Sequence, residues 1–101
     1  MRSTITTEQS GGETVVRLVG EIDLSVRDQA AGALSAVQRA GRPVVLDLSG
    51  VTFLDSSGVS FLLQCRKACA RDGLAFQLRD VPGRARRVLE VLGLVDVLAA
   101  G

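Results

Sequence analysis

The chain has 101 residues, enough for one domain with one core and too few for two. Twelve basic residues against eleven acidic ones leave a net charge of +1, so no strong field draws nucleic acid or an anionic membrane. The absence of His, Trp and Tyr excludes a Ser-His-Asp triad, a His-ligated zinc and a phosphohistidine relay within the chain.

Met1 to Gln9 is polar and alternating, which predicts no signal peptide. No apolar run nears the roughly 20 residues needed to cross a bilayer. A reduced, cytoplasmic setting is the expectation. Ser3–Gln9 and Thr14–Glu21 alternate or carry β-branched residues, and Ser10-Gly11-Gly12-Glu13 between them is turn chemistry. This predicts a β-hairpin. Asp23-Leu24-Ser25 offers two N-cap residues ahead of a helix over Val26–Ala40, whose Ala30, Leu34 and Val37 share one face. Gly41 and Pro43 end it.

Val44–Leu48 is short and β-rich, the pattern of a buried central strand. Asp47 inside it needs partners if buried, or an edge position that alternation could supply. Ser49–Leu54 reads as a connecting segment that leads to Asp55-Ser56-Ser57-Gly58. A second helix is predicted over Ser57–Asp72, with Phe61, Leu62, Cys65, Ala68 and Cys69 as its apolar stripe. Cys65 and Cys69 are therefore expected to be reduced core residues rather than a redox or metal site. A strand over Leu74–Arg79, a turn at Val81-Pro82-Gly83 and a helix over Arg84–Leu92 follow. Ala85, Val88, Leu89 and Leu92 are expected on the inner face of that helix, with Arg84, Arg86 and Arg87 as a solvated face. Leu94–Ala100 is too short to classify. The order predicts an α/β fold: an N-terminal β-hairpin, then alternating helices and strands in a mixed sheet with helices packed on it and right-handed crossovers.

The densest chemistry lies where the central strand feeds Asp55-Ser56-Ser57-Gly58. The first N–H groups of a helix lack internal partners and carry partial positive charge, so a hydroxyl there suits modification by phosphate. The plainer reading is that Asp55 or Ser56 is the N-cap and Gly58 permits close packing. Asp23 is likewise a cap, a partner contact, or both. Intrinsic catalysis is not expected. Ser56 or Ser57 beside Asp55 has no His as base, and Lys67, the one Lys, lies two to three turns along the helix. A nucleophile elbow, a Gly-rich phosphate loop and a dinucleotide fingerprint are absent.

Three stretches resemble the STAS family, named for sulfate transporters and anti-sigma factor antagonists. They are Gly20-Glu21-Ile22-Asp23, the long run Val45-Leu-Asp-Leu-Ser-Gly-Val-Thr-Phe-Leu-Asp-Ser-Ser-Gly58, and Arg87-Val-Leu-Glu-Val-Leu-Gly-Leu94. Their order and spacing match over nearly the whole chain. The resemblance implies one STAS domain over residues 1–101, of the stand-alone antagonist kind, with neither catalytic nor metal-binding residues and no cofactor. It implies that the unphosphorylated form binds an anti-sigma factor that is also a serine kinase, which frees the sigma factor. Phosphorylation of Ser57 by that kinase would switch binding off, and a serine phosphatase would reverse it. Asp55, Ser56 and Gly58 would shape the surface around the acceptor, and Asp23 would contact the partner. The alternative is a non-switching STAS module in a larger regulatory or lipid-transport assembly. Relatives usually run on into a final strand and a longer helix, so a short or missing closing helix is expected here.

Overall fold

A pair of glycines sets the first corner. Gly11 and Gly12 both take positive φ, at 60° and 84°, the combination a two-residue type I′ turn requires. They join β1 (Thr4–Ser10) to β2 (Glu13–Ile22) as an antiparallel hairpin in which Ser10 faces Glu13. The computed structural model describes residues 2–99. Met1, Ala100 and Gly101, at the two ends of the expected domain, lie outside the described residues.

After β2 come a single 3-10 turn (Leu24–Val26), α1 (Arg27–Ala40), β3 (Val44–Leu54), α2 (Ser56–Arg71), β4 (Phe76–Arg79), α3 (Gly83–Val91) and a five-residue α4 (Val95–Ala99). The sheet order is β1-β2-β3-β4, with β2-β3 and β3-β4 parallel. α1 and α2 are the crossovers, so the mixed α/β sheet expected from the sequence is present. Leu74 and Ala75 precede β4 instead of belonging to it, and the first helical turn expected from Val26 is the 3-10 segment.

One expectation needs correction. β3 does not stop at Leu48 but runs eleven residues, through the stretch read as a connecting segment. Ser49-Gly50 has the composition of a turn, yet β3 takes up an extra residue there, between Asp47 and Gly50 opposite Arg17–Val19, and another between Val51 and Phe53 opposite Gly20–Glu21. The shifts restore pairing, so Gly20 faces Val51 and Ile22 faces Leu54. A bulge absorbs the irregularity while the ladder continues.

All four helices share one core with one face of the sheet. Val16, Leu18, Leu46 and Leu48 are inaccessible to solvent and meet Val37 of α1, Leu62 and Cys65 of α2, Leu89 of α3 and Leu98 of α4. Cys65 and Cys69 are free thiols inside this core, as their helix face implied. Burial pushes the Cys65 thiol up to about 12, and burial followed by the charge of Asp72 raises Cys69. Both thiols are therefore protonated and poorly nucleophilic.

The opposite face of the sheet carries a charged row. Arg17 on β2 faces Asp47 on β3, and Asp47 faces Arg79 on β4. Asp47 lies in an interior strand rather than at an edge and is only 7% exposed. Its Oδ2 accepts from Arg17 Nε at 3.4 Å and lies 3.6 Å from Arg79 Nη2, while Oδ1 accepts the Ser49 N–H at 3.0 Å. The Ser49 N–H does most to hold the Asp47 carboxyl below its usual range, with Arg17 and Arg79 assisting against the cost of burial. This carboxylate fastens three strands together.

A depressed pKa in the folded state stabilises the fold above the unfolded-state value of about 3.9 and loses that contribution as pH falls through the lower folded value. Asp47→Asn should therefore cost about 1–3 kcal/mol near neutrality. Its denaturation midpoint should converge on that of the parent as the pH falls below the ordinary carboxylate value and through the lowered folded one. Urea unfolding across an acid pH series measures this, and a gap that persists undiminished into acid would contradict it.

Candidate functional site at the start of α2

The site is built where β2 ends and α2 begins. The Asp55 N–H donates to the carbonyl of Ile22, the last residue of β2, at 3.4 Å. Asp55 Oδ1 then accepts from the N–H groups of Ser57, at 2.9 Å, and Gly58, at 3.2 Å. Of the two caps the sequence allows, Asp55 is the one used. Its own carbonyl accepts the Val59 N–H at 2.9 Å and closes the first turn. The backbone under Ser57 is thus held from both sides.

Gly58 is buried. A Cβ at this position would lie 2.6 Å from the Ile22 carbonyl oxygen and 2.5 Å from Leu54 Cδ1. The glycine lets the helix start against the end of β2. It acts on the surface by packing beneath it, with no side chain to present. Ser57 is half-buried and Ser56 exposed.

Asp23 caps the 3-10 turn after β2. It accepts from both the N–H and the hydroxyl of Ser25. The Ser25 hydroxyl, then its N–H, holds the Asp23 carboxyl below the usual range. The cap reading of Asp23 is realised, and the residue also lines a groove. Asp23, Ser56, Ser57 and Gly58 line one groove of about 560 Å³ between α1 and α2, floored by Leu34 and Phe61. Asp55 stands apart, turned into its capping bonds.

Residues outside the sequence-derived set also gather here. Leu24, in the turn beside Asp23, is 67% exposed on the groove rim. Phe53, next to the last residue of β3, is 50% exposed beside Glu21, Thr52 and Arg84, outside the groove. Both lie outside any helical stripe, so periodicity gave no signal for them. On its other side Ser56 borders Arg84 and Arg87 of α3. All three stretches that carry the family resemblance therefore meet at one end of the sheet. Among the described residues no group of acidic or cysteine side chains is arranged to hold a metal.

A family model described as "Mlab, STAS domain" matches residues 5–99, and the chain belongs to the STAS domain family. Its relatives include the anti-sigma F factor antagonist of Paenibacillus polymyxa, 31% identical over 100 residues that span 97% of this chain and 86% of the relative. The crystal structure of an anti-sigma factor antagonist from Mycobacterium paratuberculosis is similar with a TM-score of 0.81 at 29% identity, over 96% of this chain and 83% of that one. The Bacillus cell fate determinant SpoIIAA, solved in its phosphorylated form, shares the fold with a TM-score of 0.72 at 23% identity, over 90% and 85% of the two chains.

Gly58→Ala sets a gain against a clash. Alanine is better than glycine in a helix by about 1 kcal/mol, but the Ile22 carbonyl is backbone and cannot swing aside. The clash should win, with a net loss of about 1–3 kcal/mol from overpacking. Urea denaturation of the variant measures it, and unchanged or raised stability would show that Gly58 is not a packing requirement.

Proposed function

We propose that this domain is an anti-sigma factor antagonist that works by partner switching. In the unphosphorylated form the groove beside Ser57 binds an anti-sigma factor that is also a serine kinase, and the sigma factor is released. The kinase transfers the γ-phosphoryl group of ATP to the Ser57 hydroxyl, and binding is lost. A serine phosphatase restores the hydroxyl. Asp23 and Ser56 contact the partner, and Asp55 and Gly58 fix the shape of the surface. The domain acts in the cytoplasm as a binding module rather than an enzyme, without cofactor, nucleic acid or membrane contact.

One observation carries this reading. Ser57 sits half-exposed on the groove it would control, while its backbone is pinned by the Asp55 carboxylate and the end of β2. A kinase can reach such a hydroxyl without unfolding the domain. The names of the relatives, and the existence of a phosphorylated form of SpoIIAA, support it.

The Asp55 cap changes the expected electrostatics of the switch. The N–H groups that would otherwise receive a phosphate at Ser57 are already bonded to Asp55. The new dianion meets a carboxylate there, so the helix start offers it little stabilisation. Its effect falls on the partner, which must accommodate a bulky and strongly hydrated charge where a hydroxyl was. The alternative of a non-switching module in a larger regulatory or lipid-transport assembly is favoured by the word Mlab in the family description.

The two readings separate on incubation with the serine-kinase anti-sigma factors of the source organism and ATP, followed by mass analysis. One phosphate should be added to the parent, none to Ser57→Ala, and one more slowly to Ser56→Ala. Phosphate on Ser56 would move the acceptor, and no phosphorylation by any such kinase would favour the non-switching module.

A further inference from the structure

α3 has two faces, and the fold uses only one of them. Ala85 and Leu89 are 2% exposed and belong to the core. The sequence places Val88 and Leu92 with them, but Leu92 is 51% exposed and Val88 only partly buried. Val91, at the end of the helix, is 78% exposed. Arg84, Arg87, Val88 and Val91 recur at helical spacings of three and four, so they form a second stripe, which Leu92 completes. The stripe and Ser56 line one shallow, mostly apolar groove.

Arg86, on the side of the helix, pairs with Glu90 at 3.4 Å. Among the described residues neither Arg84 nor Arg87 forms an ion pair. Two guanidinium groups thus head a strip of exposed Val91 and Leu92 and half-buried Val88, at the border of the Ser57 surface. Contiguous exposed apolar area of this kind marks an interaction site.

We propose that the outer face of α3 is a second docking surface that takes an acidic, apolar segment of a partner protein. Carboxylates of that segment engage Arg84 and Arg87, whose planar forks suit bidentate pairing. Apolar side chains that follow them cover Val88, Val91 and Leu92. A nucleic acid is a poorer occupant, because the groove is apolar and lacks an aromatic side chain for base stacking. A second copy of the chain is also poorer, because the stripe carries no carboxylate and face-to-face packing would leave the guanidinium groups unpaired. The assignment goes beyond the switch proposed for Ser57 and stands whether or not that residue is phosphorylated.

The test uses the intact unmodified protein and a random library of short displayed peptides. Selection on the parent is counter-selected on the double variant Arg84→Glu, Arg87→Glu, which alters only exposed positions. Enriched peptides should carry carboxylates followed by apolar residues. Their affinity should fall at least about tenfold in the charge-reversed variant, fall with added salt, and fall again in Val91→Ser. Unchanged melting curves of the variants would show that the fold is intact. Three results would overturn the proposal: no enriched peptide, peptides without carboxylates, or concentration-dependent self-association of the parent that Val91→Ser abolishes. None of these readouts involves a kinase or an anti-sigma factor, so the Ser57 reading can fail separately.

Discussion

The close approach of α2 to the end of β2 governs the rest of the site. Gly58 leaves room for the Ile22 carbonyl, and Asp55 donates its N–H to that same carbonyl. With the helix start fixed there, the Asp55 carboxylate turns inward onto the N–H groups of Ser57 and Gly58. Ser57 is then carried to the groove, beside the 3-10 turn that Asp23 caps. Each of these placements would change if the helix began one residue later or stood further from the strand. The site is held by backbone groups of two elements together with the capping carboxylates of Asp55 and Asp23.

Local chemistry made much of the molecule legible in advance. The Gly11-Gly12 hairpin, the helix ended by Gly41 and the apolar stripe of α2 each rest on interactions within a few residues of sequence. The second half of β3 did not, since its pairing with β2, a strand distant in sequence, resumes only across two bulges. Ser49-Gly50 looks like a turn until that partner is known. Asp47 was ambiguous for the same reason: Arg17 and Arg79, which hold it, are thirty or more residues away in sequence and adjacent only in the sheet. α3 illustrates a third limit. Periodicity finds apolar residues on a helix but cannot tell a stripe that meets the core from one that faces solvent: Val88 packs partly buried against the core while Leu92 is exposed. For the candidate site, Ser57 and its neighbours were found by motif and resemblance, while exposed Leu24 and Phe53 had no pattern to announce them.

The arrangement separates the core from the surfaces proposed for recognition. The core that holds the fold is made by one face of the sheet and the inner faces of four helices. The groove at Ser57 and the outer stripe of α3 lie beyond it, at the end of the sheet where β2 and β3 finish. A charge added at Ser57 therefore faces Asp55 and water, where screening limits repulsion. The same charge inside a closely fitted interface would have to be desolvated, which costs several kcal/mol. A modification can then act on binding and leave the fold intact.

The most direct measurement compares the unmodified and Ser57-phosphorylated forms, each by thermal unfolding and by titration with the anti-sigma factor. A cost of about 3–4 kcal/mol in the interface corresponds to an affinity loss on the order of a hundred-fold or more. The account predicts that loss together with a melting transition that stays cooperative and close to that of the unmodified form. Equal affinities, or a collapse of the melting transition on phosphorylation, would contradict it.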